Sequence, residues 1–116
     1  GSSLACKDYT SWAVDREAFA YVDNMWGEVP EVAQATDAFA CEDVAWSVPT
    51  VQELGRAFAA CGTQPSVEGV PCQEPYLTAD RSADGARLGY VPATGATWPA
   101  ESYTPYPYLF VSKRTP

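Results

Sequence analysis

The stretch Trp46-Ser47-Val48-Pro49-Thr50-Val51-Gln52-Glu53-Leu54 constrains this chain more than any other, because several local signals in it point to one structural event. Val48 precedes a proline and is therefore held extended. Thr50 is placed to accept the amide of Glu53, and the Glu53 carboxylate can reach back to the amide of Thr50, which is a capping box. The helix that follows sets Val51, Leu54, Ala57, Phe58 and Cys61 on one stripe, with Gly62 expected to adopt the left-handed conformation that ends it. Trp46, just upstream, is expected to be structural.

A chain of 116 residues makes one domain, here residues 3–116, and buries roughly 65% of its unfolded surface. Gly1 and Ser2 read as a cloning remnant, so the missing leader says nothing about export. Apolar residues make up 47% and aromatics 13% of the chain, enough to exclude disorder. The apolar runs are too short to cross a bilayer as helices, so no membrane insertion of this domain is expected. A formal charge of −8 repels phosphate backbones, and the few basic residues form no stripe; nucleic acid is excluded as a partner.

Cys6, Cys41, Cys61 and Cys72 are even in number and lack the Cys-x-x-Cys spacing of zinc or redox sites. Disulfides are expected, and with them an extracellular or cell-surface location. Of three possible pairings, Cys61–Cys72 would clip the Pro- and Gly-bearing loop after the capped helix, and Cys6–Cys41 would tie down the N-terminal arm.

The first half reads as helical. Val14, Ala18, Tyr21, Val22 and Met25 recur at helical spacing over residues 14–26, with Gly27 as a stop. Residues 31–40, Ala-rich after Pro30, either extend the helical region or form a short turn before Cys41. From Pro65 onward Pro and Gly punctuate β-type runs at 76–79, 87–91, 96–98 and 106–113. Ala83-Asp84-Gly85 and Ala93-Thr94-Gly95 read as hairpin turns. The last run alternates Pro107, Leu109 and Val111 with Tyr108, Phe110 and Ser112, one face for burial and the other aromatic. The expected fold class is α+β, two helices packed on a small antiparallel sheet.

This order of parts resembles the C-type-lectin-like domain. Trp46, Ser47, Val48, Pro49, Thr50, Glu53 and Leu54 are similar to the Trp-Arg-Leu-Pro-Thr-x-x-Glu-Leu motif of bacterial members, among them the terminal domains of invasin- and intimin-type adhesins. Tyr76, Leu77 and Thr78 match the Tyr-Trp-Ser/Thr strand, and Tyr108 to Arg114 the closing strand, so the likeness spans roughly residues 12–114. The resemblance implies a ligand-binding or adhesion domain. The closing strand here carries no cysteine, so the family's usual disulfide pattern does not transfer. Sugar-binding members hold calcium with a Glu-Pro-Asn or Gln-Pro-Asp triplet and a later Trp-Asn-Asp; this chain has Gln73-Glu74-Pro75 and no Trp-Asn-Asp, so neither metal nor other cofactor is expected.

Catalysis finds little support among the residues. The chain has no histidine, which removes Ser-His and Cys-His dyads and the commonest metal ligand. Glu42 with Asp43, or Asp80 with Asp84, are the nominal carboxylate pairs, and adjacent acids of this kind read as solvated surface. The expected activity is recognition without catalysis. Tyr76, Trp98, Tyr103, Tyr106 and Tyr108 crowd the second half among Pro99, Pro105 and Pro107, which stiffen the backbone. Trp98, Tyr103 and Tyr106 are the expected anchors for a cell-surface protein or glycan, with Glu101 as their polar partner. Trp12 and Trp26 read as structural. A small secreted, disulfide-stabilised effector or enzyme inhibitor is the alternative, and a structural cap on a longer surface protein a third reading.

Overall fold

The computed structural model describes residues 8–113. Its first elements are strands β1 (Tyr9–Val14) and β2 (Glu17–Glu28), joined by a two-residue turn in which Asp15 takes φ 53°. Trp12 stands opposite Phe19 and Val14 opposite Glu17. This corrects the helix expected over residues 14–26. β2 is the middle strand of a three-stranded sheet, between β1 and the last strand, β8 (Pro105–Lys113), and that sheet is covered on both faces. Ala20 and Val22 enter one core while Phe19 enters the other. A strand buried on both faces reads as a continuous apolar run, which periodicity cannot separate from a helix. Gly27, expected as a helix stop, lies within β2, where a Cβ would strike the ring of Tyr108.

The first helix, α1 (Val29–Ala38), therefore starts where the strand ends. Glu28 and Glu31 form a reciprocal capping box, and Pro30 sits in the first turn. Val32 and Ala35 are its buried residues. A 3-10 turn at Cys41–Asp43 follows, and Trp46 donates its indole N–H to the Cys41 carbonyl at 3.0 Å while its ring meets Phe39 edge-on at 5.2 Å.

Helix α2 (Val51–Ala57) carries the expected box: the Glu53 amide donates to Thr50 Oγ1 at 3.1 Å, and the Thr50 amide donates to Glu53 Oε1 at 2.8 Å. A third contact was not foreseen. The Val51 amide donates to Asp80 Oδ2 at 2.7 Å, fastening the helix start to a later strand. Leu54, Ala57 and Phe58 are buried as the stripe requires. The helix does not run to Gly62: it ends at Ala57, and Ala59–Gly62 forms a 3-10 turn in which Gly62 lacks the expected positive φ.

The chain then makes a small hairpin, β3 (Ser66–Val67) and β4 (Val70–Pro71), turned at Glu68 and Gly69 with φ 52° and 81°. A disulfide joins Cys61 to Cys72 as expected. Cys41 is buried; Cys6 and its expected pairing fall outside the described residues.

Strands β5 (Tyr76–Arg81), β6 (Arg87–Val91) and β7 (Ala96–Pro99) form an antiparallel meander. Both foreseen turns are present, with Gly85 at φ 92° and Gly95 at φ 75°. The last strand, β8 (Pro105–Lys113), leaves this meander and pairs with β2, with Phe19 opposite Val111 and Tyr21 opposite Leu109. Among the described residues the expected single sheet is thus divided into two three-stranded sheets and a two-stranded one, within a mixed α+β architecture with two α-helices. No helix among the described residues is long and apolar enough to cross a membrane.

β8 is also buried on both faces, from Tyr106 to Ser112, rather than on one. Tyr106, Tyr108 and Phe110 join Val32, Phe39 and Trp46 in the first core; Leu109 and Val111 join Trp12, Leu54, Phe58 and Tyr76 in the second. The period-2 alternation was legible, but both sets of side chains point into protein.

Candidate functional site

The segment between β7 and β8 carries two of the four expected binding residues, Glu101 and Tyr103, while Trp98 lies in β7 and Tyr106 in β8. It leaves β7 through Ala100, which is buried and donates its amide to the Arg87 carbonyl at 2.7 Å. The Thr104 amide donates to the Glu101 carbonyl at 3.1 Å, closing a turn, and the Val29 amide donates to the Ser102 carbonyl at 3.3 Å. Backbone bonds thus tie the loop to β6 at one end and to the start of α1 at its middle. A loop held in this way loses little conformational freedom on binding.

Trp98 lies at the base of the loop rather than on its crest. Its ring is half-buried and covers Gly89 so closely that a Cβ there would lie 2.8 Å from Cε2 and Cζ2. Its Nε1–H donates to Tyr106 Oη at 3.1 Å. Tyr106 is only 1% exposed, so it does not hold a ring outward as expected; it belongs to the core. The reason is the register: Tyr106 faces inward on β8 with Tyr108 and Phe110.

Tyr103 is 69% exposed at the crest, the most exposed of the large apolar side chains among the described residues. Glu101 is exposed two positions away, and its carboxylate raises the Tyr103 pKa above its ordinary value. A residue read as structural is also exposed, on β2. Trp26 is 44% exposed and stands opposite Pro107, two positions along from the pair Glu28–Pro105. The register of β2 shifts between Tyr21 and Trp26, with Asn24 at φ 59°. A helical reading hid this ring; strand alternation past the irregularity is the signal that would have found it. Trp12 and Trp46 are buried, as expected.

The nominal acid pairs are not assembled as working sites. Glu42 and Asp43 are exposed on their turn, Asp80 is occupied by the Val51 amide, and Asp84 accepts from Ser82 in the β5–β6 turn. The acids that the fold does bring together are Glu17 and Glu53, far apart in sequence. Arg56 donates from Nε and Nη2 to the two oxygens of Glu17 at 3.0 and 2.9 Å. Glu53 Oε2, buried and without a hydrogen bond, lies 3.5 Å from Lys113 Nζ. The Arg56 hydrogen bonds hold the Glu17 pKa below the ordinary value, with Glu53 acting in the same direction against the effect of burial. Sequence separation concealed this pair. Among the described residues no three potential ligand side chains converge as a metal site would require.

Comparison with protein-family models, with curated proteins and with solved structures finds no match for this chain.

Proposed function

We propose that this chain is an extracellular or cell-surface recognition domain of the C-type-lectin-like kind, binding a surface protein or glycan without catalysis and without calcium. The observation that carries the reading is Tyr103, the most exposed large ring among the described residues, on a loop tied by backbone bonds at one end and at its middle. Glu101 supplies the polar partner at the crest, and Trp26, on the strand that pairs with β8, is a second exposed ring. An exposed tyrosine offers wide contact at low entropic cost and suits sugar or protein surfaces equally. The C-type-lectin-like reading rests on the order of parts: the Trp46–Leu54 motif, its capped helix, the strand with Tyr76 and Thr78, the Gly-turned hairpin and the closing aromatic strand. The disulfide Cys61–Cys72 fits an oxidising compartment.

The test is a glycan array and a cell-binding assay with Tyr103→Ala and Trp26→Ala, each first checked for an unchanged melting temperature, with and without chelator. Loss of binding in the variants at undiminished stability supports the reading. Binding equal to the parent in both would move the site elsewhere, and loss on chelation would restore a metal-dependent mechanism.

A further inference from the structure

β8 runs nine residues from Pro105, next to the Tyr103 loop, to Lys113, so its far end is about 26 Å away at roughly 3.3 Å per residue. There a cleft of ≈ 690 Å³ opens between the β1–β2 turn, helix α2 and the end of β8, lined by Asp15, Arg16, Glu17, Arg56 and Lys113. Seven residues of this chain are basic, and three of them stand around this one cleft in a protein of net charge −8. With Asp15 and Glu17 counted, the five lining residues carry one net positive charge, in a protein that is acidic as a whole.

What the cleft offers a ligand follows from which polar atoms are already used. Both oxygens of Glu17 are taken by Arg56, and the Glu17 side chain is 10% exposed. Glu53 is buried behind it, with Oε1 held by the Thr50 amide and Oε2 near Lys113. The donors are the opposite case. Arg16 is exposed and makes no hydrogen bond or ion pair among the described residues, Arg56 keeps Nη1 unused, and Lys113 is 75% exposed with only its 3.5 Å contact to Glu53. The inward carboxylates fix Arg56 in place and leave the outward chemistry to the cations. Asp15, at the turn, opposes an anion directly, and Glu17 and Glu53 offset part of the positive field of Arg56 and Lys113.

We propose that this cleft is a second binding site, for the tetrahedral oxyanion of a sulfate or phosphate ester. Three donors converge from three elements rather than from one planar fork, since the fork of Arg56 is spent on Glu17, and such a set suits a tetrahedral group better than a planar carboxylate. The volume exceeds a bare ion and leaves room for the sugar-sized body that carries the ester.

The experiment is a two-dimensional NMR titration of the 116-residue protein at constant ionic strength with sulfate, inorganic phosphate and a sulfated disaccharide, chloride being the control. Saturable shifts are expected around Arg16, Arg56 and Lys113, with the disaccharide at least about tenfold tighter than either ion. Phosphate equal to sulfate means that charge and shape alone are read; a preference for one identifies the ester. Arg16→Gln, at an exposed position, should weaken binding several-fold with an unchanged melting temperature, and Asp15→Asn should strengthen it. Shifts spread evenly over Arg81 and Arg87 as well, no gain for the ester over the bare ions, or an Arg16→Gln variant that binds like the parent would each overturn the proposal. Because the Tyr103 loop lies at the other end of β8, its variants should leave this titration unchanged.

Discussion

Arg56 grips both oxygens of Glu17, at 3.0 and 2.9 Å, across 39 positions of sequence, and so joins helix α2 to the turn end of the central sheet. The same helix presents Glu53 from its first turn to Lys113, the last described residue and the one paired with Glu17 in the ladder. One helix turn, one strand start and one strand end are therefore locked by a single cluster of charges.

Acid should loosen that lock. Glu17 has its pKa lowered in the folded state, so its contribution to stability is complete above the ordinary glutamate value of 4.5 and is lost as pH falls from there through the lowered folded value. Urea unfolding midpoints of the parent should drop between pH 5 and pH 3. Glu17→Gln should be less stable at pH 7 and show a flatter acid limb; an acid limb as steep as the parent's would place the pH dependence in other carboxylates.

The cap of α2 can be separated from the core beneath it. Thr50→Ala removes the acceptor of the Glu53 amide and should cost about 0.5–2 kcal/mol. Trp46→Ala empties a site that is 7% exposed and should cost about 3–5 kcal/mol. Chemical denaturation of the two variants side by side checks both the magnitudes and their order.

Gly89 is required by the indole of Trp98. A Cβ at that position would stand 2.8 Å from two ring carbons, so Gly89→Ala should destabilise by about 1–3 kcal/mol through overpacking. Because Trp98 is also bonded to Tyr106, its displacement should alter tryptophan emission of the folded protein. An unchanged spectrum together with an unchanged melting temperature would mean that the ring has room to give.

The Cys61–Cys72 bridge spans 11 positions, and its loss should cost about 2–4 kcal/mol. Mass mapping of the unreduced protein should find these two residues cross-linked. Cys61→Ser with Cys72→Ser should lower the melting temperature, with the β3–β4 hairpin losing amide protection before the central sheet, because the bridge anchors that hairpin to the end of the α2 region.

Local chemistry determined what could be read in one dimension. The capping box at Thr50 and Glu53, the turns at Gly85 and Gly95, and the strands β5 to β7 depend on residues within a few positions of one another, and each stands where the sequence places it. The Cys61–Cys72 pairing was legible for the same reason. Three outcomes depended on partners remote in the chain. Residues 14–26 satisfy helical spacing, yet pairing with β1 and β8 makes most of them a strand, since burial on both faces erases the alternation that would distinguish it. β8 carries a pattern that suits any half-buried sheet, and only tertiary pairing takes it to β2, turning Tyr106 into core and leaving Tyr103 outside. The Glu17–Arg56–Glu53–Lys113 cluster has no sequence signature, because ion pairs between helix and sheet are set by where the fold brings their backbones together.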